Sequence, residues 1–158
     1  MGEPPTKPTQ MVALNAGVVG HSRLLADDFE ATSETMSAYR GLVARAVSEG
    51  DGTLANFVGD NFMAVFDDAK AALQTAIAIS STIEERNQDV APSRRVRFRM
   101  GLDAGDVTRA DGDFEGEALN VAARIQALAR PGGVSVSGRV YRALDEPALR
   151  FRPLGHTR

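Results

Sequence analysis

The chain has 158 residues, 43% of them hydrophobic, a formal net charge of −3 and no cysteine. Such a length makes one domain, able to bury roughly 70% of its unfolded surface without disulfide or metal staples. Disulfides, zinc–cysteine sites and thiol nucleophiles are excluded outright, and the acidic balance gives no global pull toward nucleic acid or an anionic membrane.

The two histidines, His21 and His156, cannot build a histidine metal cluster unaided, and the basic residues are arginines except for Lys7 and Lys70. No apolar run approaches the ~18 residues of a membrane span. The opening MGEPPTKPT has neither the charge nor the apolar segment of a signal peptide. These features lead us to expect a soluble, cytoplasmic protein with no membrane segment and no nucleic-acid partner. Residues 1–9 read as a disordered tail and residues 10–158 as the domain.

In chain order, residues 10–16 (QMVALNA) predict a buried strand running into Gly17 and Gly20. Leu24, Leu25, Phe29, Met36, Tyr39, Leu42, Val43 and Val47 recur at near-helical spacing, which predicts a long helix over residues 23–49, broken near Asp27 and Asp28 and ended by Gly50. Residues 53–58 (TLANFV) and 62–66 (FMAVF) flank Gly59, Asp60 and Asn61, the turn chemistry of a β-hairpin. Asp67 or Asp68 then caps an alanine-rich helix running to about Asn87.

The alternation RRVRFR at residues 94–99 suits a strand with one wet face better than a nucleic-acid patch. A strand over residues 95–102, a turn at DAGD (103–106) and a short strand near Val107 predict a second hairpin. After Gly116, the residues Ala118, Val121, Ala122, Ile125, Leu128 and Ala129 form one helical face, stopped by Pro131, Gly132 and Gly133. A strand at residues 134–136, a short helix at 137–144 and a last strand at 149–151 complete the reading. The order β-α-β-β-α-β predicts an α/β (α+β) fold with a ferredoxin-like βαββαβ core, an additional C-terminal strand and helix, and helices against one face of a mixed sheet.

Several groups of residues could carry chemistry. Asp60, at a tight turn beside the glycines, suits a hard cation such as Mg²⁺, although aspartate is also simply a good turn residue. Asn120 and Arg124, four apart on one helix, share an edge and could orient a ribose and stabilise phosphate charge; a solvated edge would look the same. The segment DGDFEG (111–116) could read a base or merely cap the helix. The stretch GVVGHS (17–22) is not a Walker loop, which needs four residues between its glycines and a Gly-Lys-Ser/Thr ending. His21 and Ser22 do not make a catalytic pair, since neighbours at a helix start do not face each other and no third group is evident.

Taken together, ALNAGVVGHSRL, FVGDNFMAVF, FRMGLDAGDV and DGDFEGEALNVAARIQALARPGGVSVS resemble the catalytic domain of the class III adenylyl and guanylyl cyclases, bacterial type, over about residues 11–154. The resemblance implies the class III cyclase fold and a dimer with sites at the subunit interface. It implies attack of the ribose 3′-hydroxyl of ATP or GTP on the α-phosphate, releasing pyrophosphate, with two Mg²⁺ or Mn²⁺ ions on two aspartates. Carried over by position, it puts Asp60 at the second metal aspartate, Asp113 at the acidic residue that reads adenine, Asn120 at the ribose-orienting asparagine and Arg124 at the arginine that stabilises the transition state. The phosphate-binding turn becomes Val18, Val19, Gly20, His21 and Ser22.

Two departures stand out. Where the family pattern is Ala-Asp-hydrophobic-hydrophobic-Gly, this chain reads Ala16-Gly17-Val18-Val19-Gly20, so Gly17 replaces the first metal aspartate. Asn56 stands where adenylyl members carry a base-binding lysine; its amide can still bond a purine edge. A neighbouring carboxylate, Asp27, Asp28 or Asp103, could move in. The chain also stops at LGHTR, which reads as a domain cut from a longer protein. Three expectations follow: a nucleotide-binding or partner-binding cyclase homology domain with impaired turnover, working as a homodimer or as a heterodimer with another cyclase domain; an active but atypical adenylate cyclase; or a structural dimerisation module.

Overall fold

In the computed structural model, which describes residues 7–111 and 113–144, the first strand, β1 (Thr9–Val18), lies in the middle of the sheet. It alternates across two buried faces and pairs antiparallel with β3 (Asn61–Phe66) on one side and β4 (Phe98–Ala110) on the other. β2 (Thr53–Val58) pairs with β3 as the predicted hairpin. At the far edge of β4, β6 (Val134–Val136) runs parallel to residues 100–102, and β5 (Asp113–Glu115) runs antiparallel to residues 108–110. The order β2-β3-β1-β4 is that of a ferredoxin-like βαββαβ core, and the sheet is mixed.

The long helix breaks where expected, into α1 (His21–Asp27) and α2 (Phe29–Glu49). Asp28 is extended, and its carboxylate accepts from the Ala31 N–H at 3.0 Å, which favours restarting a helix over continuing one. Asp68, rather than Asp67, caps α3 (Ala69–Asn87), accepting from the Ala71 N–H at 3.0 Å. α2 and α3 cover one face of the sheet over Leu14, Ala16, Phe62, Phe66, Met100 and Leu102. Phe57 and Phe62 stack there and Phe98 meets both edge-on, with ring centroids 5.3–6.4 Å apart.

Three expectations are corrected. No hairpin forms at residues 103–106: β4 runs straight through DAGD because β1 pairs with it continuously from Phe98 to Val107, and cross-strand pairing overrides local turn preference. The turn comes later, where Asp111 takes a positive φ of 53° and β5 folds back, so residues 113–115 of the expected loop are strand. Helices also cover both faces rather than one: α4 (Glu117–Gln126) packs Ala118, Leu119 and Ala122 against Ala13, Val65 and Val107 on the face opposite α2 and α3. α5 (Gly138–Leu144) closes the described chain through Val140. The expected strand at 149–151 lies outside the described residues. No helix among the described residues is long and apolar enough to cross a membrane.

Candidate functional site

Residues directly opposite one another in an antiparallel ladder project to the same face, and the register arranges the α4 face in rows. One row reads Val58, Asn61, Gly17, Arg99; the next reads Asn56, Met63, Asn15, Gly101. Gly17 is therefore inside β1, not in a turn, and sits between Asn61 and Arg99. The β2–β3 tip is tied to it, since the Val18 N–H donates to the Asp60 carbonyl at 2.9 Å. Asp60 and Gly17 are thus close neighbours across the β1–β3 ladder.

Beyond β1, the Val19 N–H donates to the Arg97 carbonyl at 2.9 Å, and Gly20 turns the chain at φ 65°, a left-handed conformation that glycine adopts without steric cost. His21, half-buried, and Ser22, exposed, form the first turn of α1. Of the five residues of the predicted phosphate turn, Val18 is strand and only the remainder bends.

Sequence reasoning missed four polar residues here. Asn15 and Asn61 join their amides reciprocally at 3.1 and 3.4 Å, with Asn15 only 4% exposed. Arg99 donates from Nε to the Ala129 carbonyl at 3.0 Å. Gln126, at the end of α4, brings its amide onto Gly17. An asparagine inside the apolar run VALNAGV was the available signal for the first; the others depend on pairings far apart in sequence.

α4 presents Asn120 and Arg124 on its exposed edge, where the Arg124 guanidinium meets the Glu117 carboxylate at 3.3 Å, a solvent-exposed pair worth little to stability. Asp113 is exposed in β5, opposite Ala110. Gly17 pairs with Arg99 at the other end of β4, about 35 Å of extended strand away. One chain therefore brings Asp60 to Gly17 but does not bring Asp113 to either.

A sequence-family model for the adenylate and guanylate cyclase catalytic domain matches residues 17–158. The chain belongs to that family. The cyclase domain is 33% identical over 129 residues to putative adenylate cyclase 3 of Rhizobium meliloti (strain 1021), covering 81% of this chain and 22% of that protein. It is 26% identical over 117 residues to an adenylate cyclase of Anabaena cylindrica, covering 64% of this chain and 23% of that one. The chain thus spans less than a quarter of the length of these two relatives. Among solved structures, it is similar to an adenylate/guanylate cyclase/hydrolase from Silicibacter pomeroyi, with TM-score 0.87 and 32% identity over 96% of this chain and 89% of that one. It shares its fold with the guanylyl cyclase Cya2, with TM-score 0.81 and 20% identity over 100% of this chain and 90% of that one.

Of the two positions where the resemblance expects metal aspartates, 17 and 60, only the second carries a carboxylate. Asp60 brings a carboxylate to the hairpin tip, position 17 has no side chain, and Arg99 places a positive charge in the same row. Among the described residues, no three His, Asp or Glu side chains gather as a metal-binding group. The carboxylates that could have moved in are engaged elsewhere: Asp27 with Arg23 at 3.3 Å, Asp28 with Arg94 at 2.9 Å and Asp103 with Arg139 at 2.6 Å. Asp103 is fully buried opposite Ala13, four positions along β1 from Gly17.

Proposed function

We propose that this cyclase domain binds ATP or GTP at a dimer interface and, as a homodimer, turns it over little or not at all. The observation that carries the reading is Gly17, a residue without a ligand at the strand position beside Asp60. In this reading Asp60 is a lone, weakened ligand for Mg²⁺ or Mn²⁺, Asn56 and Asp113 contact the base, Asn120 orients the ribose, and Arg124 faces the phosphates approached by residues 18–22. Deleting one of two metal carboxylates removes charge that offsets cation desolvation, and coupled active-site groups commonly cost several orders of magnitude in rate when one is lost.

The separation of Asp113 from Asp60 along β4 supports a site completed by a second chain. The exposed outer residues of β2, Asn56 and the 71%-exposed Val58, leave sheet surface beside α4 for it. Both sites of a homodimer share the Gly17 defect. In a heterodimer another cyclase domain could furnish the metal half while this chain contributes Asp113, Asn120 and Arg124.

Calorimetric titration of the purified chain with ATP and GTP tests the reading. We expect saturable binding that weakens at least about tenfold in Arg124→Ala, the loss of one charge-assisted contact. A chain that binds neither nucleotide would be a dimerisation module with a vestigial site.

A further inference from the structure

We propose that Gln126 occupies the side-chain space above Gly17, so that a carboxylate at position 17 cannot serve a metal ion while Gln126 remains. The inference rests on the reading of position 17 as the vacated ligand position.

Gly101 lies on β4 opposite Asn15, on the face covered by α4. A Cβ there would fall 2.4 Å from the Ala122 carbonyl oxygen and 2.5 Å from the Gln126 backbone nitrogen. The C-terminal turn of α4 therefore rests directly on the strand backbone, closer than any side chain permits. That seat fixes the backbone of Gln126 above β4 and lets its side chain cross to the next strand.

There it meets Gly17. An ideal Cβ on Gly17 would lie 3.2 Å from Gln126 Nε2 and 3.5 Å from both Cδ and Oε1. All three terminal heavy atoms of the amide thus stand around the first atom of any side chain at position 17. A carboxylate one bond further out must either displace this amide or accept a hydrogen bond from its N–H. An oxygen so occupied is engaged by α4 rather than by a cation, and Arg99, paired with Gly17 across the ladder, adds a cationic side chain to the same row. Gly17 and the Gln126 amide over it form one packed unit, so a carboxylate introduced at position 17 alone does not open a metal site.

The test measures Mn²⁺ binding by calorimetry and thermal melting of the wild-type chain, Gly17→Asp, Gln126→Ala and Gly17→Asp/Gln126→Ala, with Asp60→Asn added to the double variant. We expect Gly17→Asp alone to bind Mn²⁺ no better than wild type and to melt lower. The double variant should recover the melting temperature and bind at least about tenfold more tightly, a gain abolished by Asp60→Asn. If Gly17→Asp alone binds as tightly as the double variant and melts like wild type, Gln126 does not fill the site and the inference is wrong. If both melt as expected but neither binds Mn²⁺, Gln126 does fill the space, and the assignment of position 17 to a metal fails, taking the metal part of the inference with it.

Discussion

Replacing Gly101 by alanine adds a single methyl group, and the structure makes that methyl costly. It would lie 2.4 Å from the Ala122 oxygen, 2.5 Å from the Gln126 nitrogen and 2.9 Å from the Gln126 Cα, against an ordinary contact range of 3.4–4 Å. All three atoms are helix backbone, so no rotamer change relieves the clash, and α4 has to lift by about 1 Å from a close-packed interior. Overpacking alone costs about 1–3 kcal/mol. The lift also opens a gap beneath Ala118, Leu119 and Ala122, which lose part of their dispersion contacts. A total near 3 kcal/mol is expected, a fall in Tm of about 6–12 °C for a domain of this size. Gly41→Ala is the control: it lies inside α2 with nothing within 4 Å of its added Cβ, and should stabilise by about 0.5–1 kcal/mol. Urea and thermal unfolding of both variants decide the matter. A Gly101→Ala chain melting within about 1 °C of wild type would refute the seating of α4, and with it the route by which Gln126 reaches Gly17.

Arg139→Ala strands the buried Asp103 carboxylate, whose second oxygen has no hydrogen-bond partner among the described residues, and should cost about 3 kcal/mol by urea unfolding; Asp103→Asn in the same background should recover much of it. The Arg97 side chain bonds the Glu84 carboxylate at 2.7 and 3.1 Å and holds its pKa below the ordinary 4.5. A depressed carboxylate pKa adds stability that is present above the unfolded value and lost as pH falls through the folded one. Glu84→Gln should therefore flatten the acid limb of Tm against pH below about 4.5. The effect is a few tenths of a kcal/mol at most, because the pair is largely exposed.

The elements legible in the sequence were those whose signal is local. The apolar spacing of α2 and α3, the capping aspartates and the Gly59–Asp60–Asn61 turn each carry their own chemistry, and all appear where that chemistry puts them. DAGD failed because its turn residues are outvoted by the ladder with β1, and Asp103 gains an arginine partner that no local pattern announces. α4 read correctly as amphipathic, but which face of the sheet it covers depends on Gly101 accepting it. At the site, the turn at Asp60 and the shared edge of Asn120 and Arg124 could be seen in advance. Asn15 with Asn61, Arg99 beside Gly17 and Gln126 above it could not, since each is a relation between strands or between strand and helix.

The most direct test of the central claim is production of cyclic AMP and cyclic GMP by the purified chain with Mn²⁺ and saturating ATP or GTP, measured beside Arg124→Ala as background. With no ligand at Gly17 in either half of a homodimer, product should not exceed that background. Product clearly above it would mean that another group has rebuilt the metal site, and that Gly17 does not disable this domain.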